Sequence, residues 1–336
     1  MQKQDEKEKA KLVADLLREL MLSNERETKF FRENDVGYLT AFKTTFVNQI
    51  IAIATLKGNT INLEDVIAYI VVEELVSWLP GHIARKVQRI GQNNEWFVKL
   101  LEEIDDEENI SEVKSFVDKV NDVAFDEDSV SSEDFDIDND SEDFILTTYR
   151  NTNVPRAGWV FYGADRVLDD IETIAENTIL SQFATVITHL AFEYPVNIKK
   201  ALTMNLIRKF IPKDIPISQK DSDKQIGSNV DEFNKLIEKL QVGYPLEQLY
   251  LEYEEGRTPE AKLVTAAKNI VTDDMAWLIE KRQGVSPGWK DLNLNDKVRD
   301  VMKPECTWLQ MMLWYSRKYF NYDENFSRLS EEIESQ

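Results

Sequence analysis

Apolar residues recur at helical spacing along almost the whole chain. In LVADLLRELML (12–22) they fall at i, i+3, i+4 and i+7 steps. The same spacing runs through VIAYIVVEELVSWL (66–79), FNKLIEKLQ (233–241), AKLVTAAKNIV (261–271) and TWLQMMLWYSRKYF (307–320). Positions three and four apart share one face of a helix, so each stretch predicts a helix with an apolar side. Period-two alternation is absent except in AGWVFYG (157–163), a candidate short extended segment. In GRTPEA (256–261) Thr258 suits an N-cap and Pro259 the first helical position. Gly 11 and Pro 9 are few for 336 residues, which also suits a helical protein. The pattern predicts an all-α fold.

The periodicity breaks at 126–143, DEDSVSSEDFDIDNDSED, which is dense in like charge and serine. Such a segment has few groups able to build a core and reads as a linker. It divides the chain into helical domains at 1–125 and 149–336, joined by an acidic linker at 126–148. Asp134, Asp136, Asp138 and Asp140 alternate as in part of a calcium loop, but the glycine and terminal glutamate of that pattern are missing. A solvated linker is therefore the favoured reading. Residues 212–233, rich in Pro, Ser, Asp and Gly, predict a loop. The aromatic segment 308–326 predicts a core helix on the second domain, with an oligomer or partner surface as the alternative.

The formal net charge of -22 argues against nonspecific binding to nucleic acid or anionic membrane, both of which need positive charge. It favours a solvated surface and a protein partner with a basic face. No apolar run approaches the ~18 residues of a membrane span. The charged, helical N-terminal segment is unlike a signal peptide. A single cysteine, Cys306, in an apolar setting allows no internal disulfide and fits a reducing, cytoplasmic location. The two histidines, His82 and His189, nearly exclude a His-based triad or His-rich metal site. His189, inside FATVITHLAF, reads as a hydrogen-bonded core or edge residue. No Walker-type glycine loop, GxGxxG, CxxC pair or GxSxG is present.

Three blocks carry a resemblance. They are VPRAGWVFYGADRVLDDIETIAENT (154–178), KKALTMNLIRKFIPKDIP (199–216) and YEEGRTPEAKLVTAAKNI (253–270). In order and spacing they resemble HD-domain phosphohydrolases of the 5'-deoxynucleotidase type, over about half the chain. That resemblance implies a PRxGW entry, a first ligand helix, a helix with a His-Asp pair before a TGDIP turn, and a late ADKL helix. The family's metal is held by a His, the His-Asp pair and a late Asp. Here those positions carry Asn177, Arg208, Lys209 and Lys268. Divalent metals take carboxylate or neutral imidazole ligands, and cations there would repel them. The resemblance therefore implies a metal-free pseudoenzyme. It also implies a role for Arg156 and Trp159 at the entry in shaping a nucleotide site. An arginine grips phosphate by paired hydrogen bonds, and a tryptophan stacks on a base.

Residues 26–120 follow the same template more faintly. Leu39 stands at the first His, Glu73 and Glu74 at the His-Asp pair, Ser77 on the next turn and Asp118 at the late Asp. Leu39 to Asn177 is 138 positions and Glu73 to Arg208 is 135, a period that suggests a duplicated domain. The resemblance thus implies two degenerate HD-like domains in tandem. Glu73, Glu74 and Asp118 are the one acidic group the template would gather. Adjacent helical glutamates point ~100° apart, so a structural role is favoured over metal binding.

The expected function is a non-catalytic interaction, structural or regulatory subunit, without metal or cofactor. The style of the sequence suggests a phage or mobile element. One alternative is a metal-free nucleotide or phosphate sensor using Arg156, Trp159, Arg208, Lys209 and Lys268. Against it, the cations would turn outward or pair with Glu176, Asp169 and Asp170. A further alternative is a residual hydrolase using Glu73, Glu74 and Asp118.

Overall fold

A computed structural model describes residues 2–31, 38–57, 60–106, 108, 110–126, 128–156, 172–211, 230–238, 240, 244–283, 296–301, 303, 306–320 and 322–335. The candidate strand at 157–163 and nearly all of the loop at 212–233 lie outside them.

The fold is all-α. In the first half come α1 (Gln2–Phe31), α2 (Tyr38–Thr55), α3 (Leu63–Glu73), α4 (Gly81–Gly91), α5 (Glu95–Asp105) and α6 (Glu112–Asn121). Helix α7 (Asn139–Tyr149) leads to α8 (Ile174–Phe192), α9 (Ile198–Ile207), α10 (Val230–Ile237) and α11 (Leu246–Glu255). The second half ends with α12 (Pro259–Gln283), α13 (Asp296–Val301), α14 (Trp308–Tyr319) and α15 (Glu324–Ser335). Side-chain caps fix the starts. Asn62 caps α3, Asn94 α5, Ser111 α6, Asp138 α7 and Asn197 α9, each accepting a bond from a first-turn N–H. Thr173 and Thr307 form full capping boxes with Glu176 and Gln310. Thr258 accepts from the Ala261 N–H at 3.3 Å, as its position before Pro259 predicts.

The apolar stretch 66–79 does not run as one α-helix. From Glu74 to Trp78 the backbone widens into a π-turn, and Pro80 then starts α4. Such turns concentrate at functional positions in proteins. This one begins at the Glu73-Glu74 pair.

The segment 126–148 is more ordered than an acidic tether. Strand β1 (Ala124–Asp126) pairs antiparallel with β2 (Ser129–Ser131), with Phe125 opposite Val130. Helix α7 packs on α2, burying Phe144 and Ile145, and the Ser141 hydroxyl donates to the Ala54 carbonyl. The charge run hid this because its carboxylates face outward while a few apolar residues between them face the core. The alternating aspartates form no calcium loop: Asp138 caps α7 and pairs with Lys57 at 2.7 Å.

Helix α8 is the centre of the molecule. Every residue from Ile174 to Ala191 is buried. Its hydroxyls are satisfied within the helix, Thr178, Ser181, Thr185 and Thr188 each donating to the carbonyl four residues back. Helices α2, α9 and α12 pack around it. The packing has a repeating form. Helices α2, α3 and α6 contact one another pairwise, and α8, α9 and α12 do the same. Across the halves, α2 packs on α8 and α3 on α9. Buried apolar residues from Val13 to Ile333 belong to one continuous core, so the halves at 1–125 and 149–336 share their interior.

Candidate functional site

The site is built where α8, α9, α11 and α12 meet. Arg156 precedes α8 and crosses to it: its backbone N–H donates to the Glu172 carbonyl at 3.0 Å. Its guanidinium reaches the Glu172 carboxylate at 2.9 Å and the Thr272 hydroxyl on α12 at 3.3 Å. The other Glu172 oxygen accepts from the Asn177 amide at 3.1 Å. Asn177 is fully buried, and its own amide oxygen has no hydrogen-bond partner among the described residues.

Arg208 caps the C-terminus of α9, where a cation complements the helix dipole. It is only 4% exposed. Its Nε donates to Asn205 at 2.8 Å and the guanidinium also bonds Tyr253, while its Nη2 is buried without a hydrogen-bond partner among the described residues. Burial lowers its pKa to about 10; Tyr253 on α11 opposes that shift, and Arg156 adds to it. It stays charged at neutral pH. Lys209 is half-buried beside it. Its pKa lies well below the usual lysine range, first through burial and then through Arg208, Arg156 and Lys268, with Glu172 pulling the other way. Lys268, on α12, lies with its Nζ 5.3 Å from the centre of the Phe320 ring.

Lys209 therefore lies within electrostatic reach of Arg156, Arg208, Lys268 and Glu172, and Arg208 within reach of Arg156 and Glu172. Arg208 does not turn outward, and Arg156 pairs with Glu172 rather than Glu176. Glu176 instead closes the Thr173 capping box, and burial raises its pKa to about 7. Trp159, Asp169 and Asp170 lie outside the described residues. Glu172, Asn205 and Tyr253 escaped the sequence reading. Glu172 sits directly before the capping box at Thr173, the one local signal that marked its position. Asn205 and Tyr253 gave no signal.

This set does not fit the metal that the HD resemblance implies. Where ligands would stand there are an amide and three cations, and the Glu172 carboxylate is already engaged by Arg156 and Asn177.

The first-half positions have the opposite character. Glu74 is buried and accepts from the Thr45 hydroxyl of α2 at 2.8 Å, and burial raises its pKa to about 7. Glu73 is half-buried; burial and then Asp118 raise its pKa, which Lys114 partly offsets. Asp118 is exposed on α6. Glu73 thus faces Asp118, while Glu74 turns toward α2. Leu39 lies in α2, and its side chain is not among those described. Among the described residues, no three His, Cys, Asp or Glu side chains group closely enough to hold a metal ion.

His189 is buried, 3.4 Å from the Asn94 amide and edge-on to Trp96, and burial lowers its pKa. Cys306, the single cysteine, is buried. Among the described residues no helix is long and apolar enough to cross a membrane. No family model, no curated protein and no solved structure matches the chain.

Proposed function

We propose that this protein is a non-hydrolytic module with a duplicated, HD-like helical framework that binds a phosphate-bearing anion at Arg156, Arg208, Lys209 and Lys268. The observation that carries this is Arg208. Arg208 is 4% exposed, its Nη2 has no hydrogen-bond partner among the described residues, and Glu172 and Tyr253 oppose the effect of its burial while Arg156 and Lys209 add positive charge beside it, a balance that favours an anion. Phosphate offers several acceptor oxygens and suits arginine's paired donors. The resemblance supports the framework, and Asn177, Arg208, Lys209 and Lys268 support the loss of metal chemistry. The packing of α2, α3 and α6, repeated in α8, α9 and α12, supports the duplication.

Thermal melting of the purified chain with inorganic phosphate and with nucleoside mono-, di- and triphosphates tests the site. A ligand at 100 times its Kd adds about 2.7 kcal/mol of stability. The expected result is a rise in Tm that Lys268→Glu abolishes. No rise with any of these anions would overturn the site.

The charge of -22 favours a second role, as a regulatory or structural subunit with a basic protein partner. A cytoplasmic setting is proposed on the single buried thiol.

A further inference from the structure

A groove of about 800 Å3 opens between the end of α2, the start of α6 and the acidic segment 134–138. That volume lies within the range of ligand sites. Its apolar lining comes from buried Ala54 and Phe116 and from half-buried Ile61, Phe135 and Ile137. The acidic segment stands as a fixed wall. Phe135 packs edge-on to Phe116 of α6 with ring centres 5.6 Å apart. Asp138 pairs with Lys57 at 2.7 Å, and just beyond it the Ser141 hydroxyl donates to the Ala54 carbonyl at 3.2 Å.

The solvent side of the groove sets one apolar side chain among acids. Ile110 lines it and is 56% exposed, the most exposed large apolar residue among those described. Glu112, Asp134 and Asp136 are exposed around the same groove. Four acids line it against two lysines, Lys57 and Lys119, and Lys57 is already engaged by Asp138. Among the described residues no ion pair reaches Asp134 or Asp136. Ile110 gains by burial, and the acids gain from facing cations. A small cation alone would leave Ile110 uncovered. A second copy of this chain is a poor occupant, because two chains of charge -22 repel.

We infer that this groove takes a short segment of a basic partner protein, seating a large apolar side chain beside Phe116, Ile137 and Ile110 and bringing lysines or arginines against Glu112, Asp134 and Asp136. This rests on the basic-partner reading above and names its surface. The acids steer and orient such a segment, and the apolar lining holds it.

Selection of a random decapeptide library displayed on phage against the immobilised full chain tests it. The expected result is enrichment of sequences with a large apolar residue flanked by lysine or arginine. The best of them, synthesised and titrated by fluorescence anisotropy, should bind roughly ten-fold more weakly to Ile110→Ser and to the double variant Asp134→Asn with Asp136→Asn. All three side chains are exposed, so neither variant disturbs the core. The double variant alone should also reduce the salt dependence of binding. Basic peptides that bind both variants as tightly as the unmodified chain would overturn the groove and leave the basic-partner reading standing. Enrichment of acidic or uncharged peptides, or of none, would overturn both. Self-association of the chain, measured by sedimentation and lost in Ile110→Ser, would assign the groove to a second copy and overturn the inference.

Discussion

Helices α3 and α9 occupy matching places in the two halves and carry opposite charge. Asn62 and Asn197, their N-caps, are 135 positions apart, as are Glu73 and Arg208 and also Glu74 and Lys209. At that offset Glu64 and Asp65 match Lys199 and Lys200. The two helices pack together, and Lys199 pairs with Asp65 across the contact while the Asn197 amide donates to Glu64. In a symmetric pair of identical domains, residues near the axis meet their own copies, so a charge there repels itself. Here the matching positions of α3 and α9 carry opposite charge instead. Lysines in a first helical turn oppose the helix dipole, so α9 relies on acids outside its own sequence: Asp65 for Lys199 and Glu252 for Lys200. At the other end of these helices the pair Glu73-Glu74 is acidic and the pair Arg208-Lys209 cationic.

The pH dependence of stability separates the two ends most strongly. Glu74 is held at about 7 by burial, against 4.5 for an ordinary glutamate. A carboxyl with a raised folded pKa favours the folded state while protonated, so this contribution is full below about 4.5 and lost as pH rises to about 7. Lys209 is displaced downward, so the folded state releases its proton first. Its contribution to stability grows as pH rises from that depressed pKa toward 10.5. Glu74→Gln should therefore gain on the unmodified protein by on the order of 3 kcal/mol between pH 4 and pH 8. Lys209→Met should lose its advantage between pH 7 and pH 10. Urea unfolding at each pH measures both. Two parallel profiles would mean that the halves do not differ in this way.

Helical spacing made the all-α architecture legible, because a core-facing stripe leaves a periodic trace. Thr258 before Pro259 made one helix start legible, that of α12. The cations were legible as a group since Arg156, Arg208, Lys209 and Lys268 fall at template positions. What stayed hidden depends on long-range packing. Nothing local shows that Glu172 bridges Arg156 and Asn177, or that Asn205 and Tyr253 support Arg208 from α9 and α11. The hairpin at 124–131 is too short for period-two alternation to emerge. Helix α7 carries Asp140, Glu142 and Asp143, and its buried Phe144 and Ile145 count for little in composition. The groove beside the acidic segment draws on residues at 54–61, 110–119 and 134–141, which only the fold brings together.

A smaller effect probes the contact between α2 and α8. Gln49 and Gln182 are fully buried and exchange two amide hydrogen bonds of 3.0 Å, with Gln182 also donating to the Leu202 carbonyl. Gln49→Leu leaves a buried amide incompletely bonded and should cost about 1–3 kcal/mol. Replacing both by leucine should cost less than the sum of the single changes, since no orphaned partner remains. Additive losses in a double-mutant cycle would show that the two amides act independently and that the halves are not coupled there.

The smallest effect reads the charge reversal itself. Lys199 and Asp65 are each about one-third exposed, with side chains 37% and 34% accessible, so water screens the pair and about 1 kcal/mol is its ceiling. Lys199→Glu creates a like-charge contact with Asp65. Its loss of stability should shrink as sodium chloride rises from roughly 0.05 to 0.5 M, because screening lengths fall below the separation of exposed groups. Asp65→Lys combined with Lys199→Glu recreates the pair with its polarity exchanged and puts the acid at the start of α9, where the helix dipole favours it. If complementarity is what joins the halves, the exchanged pair should recover the loss at low salt. If each half instead needs its own charge for internal reasons, the double variant should be weaker than either single one.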